Sequence, residues 1–489
     1  MKLLSLTCLI LFCRPVFAQN IDSTALNNLR DAALEFQNSE IMRSGSLAIS
    51  VKAVKERTNV FGLHQELSLP SASTLKLVST ATVLAVFGGD FKYQTFLEHD
   101  GQVKGDSLIG NLYIRGTGDP SLGSDRFTGF LKSAELINRW VAALKKSGIR
   151  HIKGKVLPDA SFFDNSTVAS TWIWGDMGNY YGAGVQGLNF NENLYRAKFK
   201  PGVEPGDPAT FLGIEPAIPY LTFTNQVTTG ERGSGDKTIL YSSPLGNRVV
   251  LTGTVPAGQA TFSVKGSIPD PAEYAAFALK TALGNSAVTI YDQNLPSPGA
   301  PQSLNQRKVL DEYKSPALRE LCQQTNFWSI NLYADTFLKQ AGKRLSGQSD
   351  FDNAAKAVTS YWSGKGADLR GFYIKDGSGL SPSGSITAGS LTEILNLANK
   401  DASFNDFYKS IAVLGQNGTV RNLAKGTKAA GNVHAKSGSI EGTRAYAGYF
   451  TSRAGTLMSF TIIANKYMPG SQRIVSDELV KLMSLMAQL

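Results

Sequence analysis

Cysteine is nearly absent from this chain. Three occur in 489 residues, and two of them, Cys8 and Cys13, fall in the first eighteen positions. Cys322 is left alone, so the remainder folds by packing and not by internal disulfides. Its neighbours Leu318 and Leu321 point to a buried helical face and an inert core thiol. Histidine is also scarce: His64, His99, His151 and His434 are scattered, and no metal-ligand spacing links them. The formal net charge is +10, yet Lys and Arg form no consecutive block and do not interleave with aromatics. That excludes the pattern of a nucleic-acid-binding surface and leaves mild attraction to an acidic polymer.

Long hydrophobic runs are missing as well. The longest, Leu3 to Phe12, comes after Lys2 and precedes Val16-Phe17-Ala18. It is too short to span a bilayer and reads as a secretory signal ending at residue 18; an uncleaved anchor is the alternative. The chain beyond residue 18 is too long for one ordinary domain. Residues 21 to 38 form an amphipathic helix pattern, and Ser46 to Val54 and Asn59 to Leu63 read as paired strands. After Pro70 a helix from Ser73 to Phe87 is apolar on nearly all sides, so it belongs in a core. Short strands and Gly/Pro turns then fill residues 91–285, with one clear helix at Ser133 to Lys146. From residue 286 longer elements return: a helical region from Ser315 to Lys339, a hairpin of Arg444 to Phe450 with Leu457 to Asn465, and a closing helix at Asp477 to Leu489. There is no internal repeat and no low-complexity segment. These patterns predict an α+β domain made of 19–90 and 286–489, with 91–285 inserted as one or two mainly β subdomains.

Three short motifs carry the chemistry, and each has a decoy. Ser-x-x-Lys occurs at Ser73-Thr74-Leu75-Lys76 and at Ser234-Gly235-Asp236-Lys237. The second lies in a solvated turn; the first opens the buried helix, where residues i and i+3 share a face. A serine hydroxyl needs a base to become nucleophilic, and an ammonium entering an apolar environment is driven towards the neutral form that can serve. Ser73 read simply as a helix N-cap stands level with this on the motif alone. Ser-x-Asn occurs at Ser303, Ser329 and Ser403; Ser329-Ile330-Asn331 comes after a helix of the core domain and is preferred. Lys-Ser-Gly occurs at Lys146 as an ordinary helix ending and at Lys436-Ser437-Gly438, beside the late hairpin. There it could form a strand edge able to pair with an extended peptide.

The order Ser-x-x-Lys, Ser-x-Asn, Lys-Ser-Gly resembles that of penicillin-binding proteins and serine β-lactamases. Within them the chain is similar to the D-alanyl-D-alanine carboxypeptidase/endopeptidases, the low-molecular-mass class C penicillin-binding proteins, whose insertion separates the first two motifs. The resemblance runs over nearly the whole chain after residue 18. It includes Pro-Ser-Ala-Ser-Thr-Leu-Lys (70–76), Gly-Asn-Leu-Tyr-Ile-Arg-Gly-Thr-Gly-Asp-Pro-Ser-Leu (110–122), Leu-Asn-Phe-Asn-Glu-Asn (188–193) and Ile-Pro-Asp-Pro-Ala-Glu-Tyr-Ala-Ala (268–276). Ser-Ile-Asn-Leu-Tyr-Ala-Asp (329–335), Asp-Gly-Ser-Gly-Leu-Ser (376–381) and His-Ala-Lys-Ser-Gly-Ser (434–439) complete it.

The resemblance implies a transpeptidase-like fold, an antiparallel sheet flanked by helices. It implies Ser73 as nucleophile, Lys76 as its base, Ser329 as proton relay and Asn331 as holder of the substrate amide. Lys436 and Ser437 would bind the terminal carboxylate, beside Gly438, and the backbone N–H groups of Ser73 and Ser439 would form the oxyanion hole. No metal or organic cofactor is implied. Partners would be peptidoglycan stem peptides and β-lactams, with peripheral association to membrane or wall, no nucleic acid, and a periplasmic location after export. Three positions depart from the family pattern: Ser437 replaces threonine, Pro382 stands after Gly-Leu-Ser in place of a basic residue, and Asn417 precedes Gly418-Thr419 in place of an acidic one. The rival readings are a serine β-lactamase and a catalytically idle wall-binding scaffold.

Overall fold

The computed structural model describes residues 21–292 and 307–489. The expected signal segment, residues 1–18, and the Ser303-Leu304-Asn305 motif lie outside the described residues. Alternating side chains on long apolar strands produce a five-stranded antiparallel sheet buried on both faces. Its strands are β1 (Ser46–Ala53), β2 (Asn59–Leu63), β3 (His434–Ile440), β4 (Thr443–Thr451) and β5 (Leu457–Asn465), in the order β2-β1-β5-β4-β3. Helices α1 (Ser23–Gln37) and α6 (Gln472–Met486) cover one face, where Leu47, Ile49, Phe460 and Ile462 pack with Leu29 and Leu482. The other face carries α2 (Lys76–Phe87), α3 (Leu318–Trp328), α4 (Asn331–Ser346) and α5 (Ala388–Ala398).

The first nine residues of α2, Lys76 to Leu84, are all buried, as its all-round apolarity predicts. Its threonines satisfy their hydroxyls inside the core. Thr80 and Thr82 donate to the carbonyls of Lys76 and Val78, both at 2.7 Å, and Trp362 donates to Thr82 at 2.8 Å. No buried donor is wasted there, so polar residues do not weaken the core.

The inserted region has its own apolar core around Trp140, Leu144, Phe190, Tyr195 and Leu251. It holds several small sheets and two long helices, Ser133–Lys146 and Pro271–Asn285. Strand pairing corrects the boundary expected at residue 285. Lys308–Lys314 pairs antiparallel with Gln94–His99, and Tyr93 and Ser315 exchange backbone hydrogen bonds through the Tyr93 carbonyl and the Ser315 hydroxyl. The chain therefore leaves the peptidase body at Tyr93 and re-enters it at Ser315, through a neck of two adjacent strands that continue into a four-stranded sheet of the insertion. The stretch from Phe163 to Val185 leaves the inserted core and packs against the body, with Phe163, Trp172 and Val185 in its hydrophobic cluster. Among the described residues, no helix is long and apolar enough to cross a membrane.

Candidate active site

The expected helix from Ser73 begins differently. Ala72–Leu75 is a 3-10 turn and the α-helix starts at Lys76. Ala72 sits at φ 46°, a strained conformation for a residue with a Cβ. Ser73 is no N-cap: its hydroxyl meets the Lys76 amine at 2.8 Å, and the same amine donates to the Ser378 carbonyl at 2.7 Å. Lys76 is completely buried. Burial lowers its pKa to about 8, against the attraction of Asp335 and Asp376, which raises it. Once deprotonated, the amine can keep donating to Ser378 while accepting the proton of Ser73.

The second and third motifs meet on the other side. Lys436, also completely buried, donates to Ser329 Oγ at 3.0 Å and to the Ser437 carbonyl at 2.7 Å. Burial drives its pKa well below the usual lysine range, and repulsion from Lys76 pushes the same way. Lys436 therefore lies within reach of the Lys76 charge. Ser329 ends α3 in the left-handed region at φ 59°, which turns the chain sharply before α4 begins. Asn331, the first residue of α4, donates its amide to the Tyr181 carbonyl of the insertion at 2.7 Å.

Strand β3 closes the third side. A Cβ at Gly438 would stand 2.7 Å from the Ser71 carbonyl and 3.1 Å from the Ser73 nitrogen. Only glycine lets this edge strand lie against the nucleophile turn. Ser437 Oγ is 2.8 Å from Thr419 Oγ1, so two hydroxyls stand together on the open edge. Ser439 is exposed on the same strand, paired in register with Arg444. His434 packs its ring on Tyr408 with centroids 4.2 Å apart.

The motif residues chosen from the sequence thus gather around one site, and the described copies of Ser-x-x-Lys and Lys-Ser-Gly at Ser234 and Lys146 do not. Lys146-Ser147-Gly148 ends the Ser133–Lys146 helix, and Lys237 begins an exposed strand beyond a turn. Four neighbours carry no motif signal of their own. Asp335 accepts from the Gly377 N–H at 2.7 Å, and its buried carboxyl has a pKa raised well above normal by burial and by Asp376. Asp376 accepts from the N–H groups of Gly379 and Ser381, each at 2.7 Å, and from the Trp172 indole at 2.8 Å. Ser378 presents its carbonyl to Lys76, and Thr419 its hydroxyl to Ser437. Asp335 lies four residues after Asn331 on one helix, and Asp376 opens Asp-Gly-Ser-Gly-Leu-Ser; their positions are visible in the sequence, their roles are not. Asn417 accepts from the Val413 N–H at 2.8 Å and holds a turn, while Pro382 is exposed. Among the described residues no group of acidic, His or Cys side chains could hold a metal.

A serine turn at a buried lysine, beside a sheet edge and a second buried lysine bonded to another serine, is an arrangement a serine-type hydrolase can use. The chain belongs to the D-Ala-D-Ala carboxypeptidase 3 (S13) family, whose model matches residues 31–485. It is a hydrolase of that serine-type carboxypeptidase class. It is 28% identical over 466 residues to a D-alanyl-D-alanine carboxypeptidase of Actinomadura sp. (strain R39), covering 93% of this chain and 83% of the relative. With the carboxypeptidase DacB of Haemophilus influenzae it shares 24% identity over 407 residues, 82% of this chain and 81% of that one. The crystal structure of penicillin binding protein 4 from Haemophilus influenzae superposes with a TM-score of 0.78 at 21% identity, over 94% of this chain and 100% of that one.

Proposed function

We propose that Ser73 forms an acyl-enzyme with the penultimate D-alanine of peptidoglycan stem peptides and releases the residue beyond it. The observation that carries this reading is the convergence of two buried lysines, each bonded to a serine, from three segments far apart in the chain. Lys76 takes the Ser73 proton as Oγ bonds to the carbonyl carbon. Ser73 and Ser439 backbone N–H groups stabilise the oxyanion, an effect usually worth several kcal/mol. As the C–N bond breaks, a proton reaches the leaving amine through Ser329, bonded to Lys436. Water then attacks the ester, and the proton it gives up returns to Ser73. Lys436, Ser437 and Thr419 face the substrate carboxylate, while Asn331 holds the amide.

The same chemistry cuts D,D-cross-links when the leaving amine belongs to a second peptide, so endopeptidase activity is part of the proposal. β-Lactams would acylate Ser73 by the same route. Export to the periplasm rests on the N-terminal eighteen residues. The test is D-alanine release from a soluble pentapeptide by the protein and by Ser73→Ala. A loss of about a thousandfold or more is expected, together with loss of the covalent penicillin adduct by mass. Equal activity in the two proteins ends the reading.

A further inference from the structure

A cavity of about 810 Å³ opens in the inserted region, apart from Ser73 and Lys436. Phe190, Ile137 and Tyr274 form its apolar side, and Arg126, Arg196 and Lys265 bring cations to its walls. Arg126 is committed to Glu192 at 2.7 Å, and Glu215 is committed to Lys198 at 2.5 Å. Arg196 and Lys265 face one another as register partners on antiparallel strands. Among the described residues neither forms an ion pair of its own. The pKa of Lys265 is lowered, first by burial and then by Arg196 and Arg126, against the attraction of Glu192. Neighbouring cations repel, and although Glu192 attracts Lys265 and Glu215 stands opposite Arg196 in register, neither cation is ion-paired among the described residues, so a bound carboxylate would relieve the repulsion.

A chain of contacts runs from the cavity wall to Asn331 at the candidate active site. Lys265 lies 5.7 Å above the Tyr180 ring, and Tyr180 packs edge-on against Tyr181. The Tyr181 carbonyl in turn receives the Asn331 amide. Asp125, Glu192 and Glu215 share the cavity walls and disfavour a polyanion. The mixture suits a peptide end, with one carboxylate, nearby amine character and side-chain carbon.

We propose that this cavity binds the carboxylate end of a second stem peptide, the partner strand of the cross-linked pair being cut at Ser73. This rests on the functional reading above for the identity of the polymer. The test has two arms. Calorimetry tracks binding of a purified cross-linked muropeptide dimer to full-length Ser73→Ala, with and without Arg196→Ala and Lys265→Ala. Hydrolysis of a short N-acyl-D-Ala-D-Ala substrate is measured in proteins that keep Ser73. Binding of the dimer is expected to weaken about fivefold or more, and Arg196→Lys to retain it. Turnover of the short substrate is expected to stay within about twofold, since neither Arg196 nor Lys265 touches Ser73, Lys76, Ser329 or Lys436. Unchanged dimer binding, or an equal loss in both arms, overturns the proposal. Failure of the parent protein to release D-alanine from the short substrate sinks the functional reading instead, and the binding arm still decides the cavity.

Discussion

Lys76 and Lys436 are both fully buried, but only Lys76 has carboxyl groups beside it to offset the loss of water. A pKa of about 8 leaves roughly a tenth of Lys76 unprotonated at pH 7, enough for a base that is regenerated in each cycle. In the proposed mechanism deprotonation of Lys76 activates Ser73, so the acylation rate is expected to rise with pH and level off above about 8. Asp335→Asn removes the larger of the two attractions that raise this pKa. Its remaining oxygen can still accept from Gly377, so the inflexion is expected to move to lower pH with the fold intact. Stopped-flow acylation by a chromogenic β-lactam across pH 6 to 10 measures both profiles. A superimposable pair would mean that Lys76 is not the titrating base.

At the scale of elements, the loop at residues 376–381 supplies the carbonyl that holds Lys76, and Asp376 holds the loop. Its carboxylate takes two backbone N–H groups of that loop and the indole of Trp172 from the insertion. Trp172→Phe keeps an aromatic ring in the body cluster but removes the indole donor from a buried acceptor. A cost of about 1–3 kcal/mol is expected, with faster amide exchange at Gly379 and Ser381 and a severalfold lower acylation rate. Unaltered exchange at those two amides would show the clamp to be unnecessary. This clamp also marks the limit of what the sequence discloses. The Ser133–Lys146 helix is legible because burial keeps a helical period, and the late hairpin because two apolar runs flank the short polar turn Ser452-Arg453-Ala454-Gly455. The choice among duplicate motifs is legible because a solvated turn and a helix ending look different from a core helix and a strand edge. Asp335 and Asp376 carry no such signal: a buried carboxyl is recognised by what surrounds it, which long-range contacts decide. The neck strand Lys308–Lys314 is equally silent, since most of it is exposed or half-buried and shows no clean alternation.

For the whole molecule, an insertion attached through a neck of two adjacent strands must still keep a fixed position over the cleft. Helix α4 is where it is braced. Asn331 at its start meets the Tyr181 carbonyl, Tyr333 donates to Glu192 at 2.9 Å, and Lys339 donates to Asp164 at 2.6 Å. Glu192 is the central tie, because one oxygen also accepts from Ser124 at 2.6 Å and Arg126 at 2.7 Å. It is held in a run of three left-handed residues, Asn191, Glu192 and Asn193, a strained backbone that needs its contacts to persist. Glu192→Ala would strand the buried Tyr333 hydroxyl and release Arg126, at a cost of about 2–5 kcal/mol. Because the three braces lie along one helix, loosening the middle one should be felt at Asn331 and Tyr181. Hydrogen exchange is therefore expected to quicken at residues 180–183 and in the first turn of α4, while α1 and α6, on the far face of the sheet, keep their protection. Exchange that quickens equally on both faces would mean the substitution lowers global stability alone, and that the insertion is held over the cleft by its other contacts.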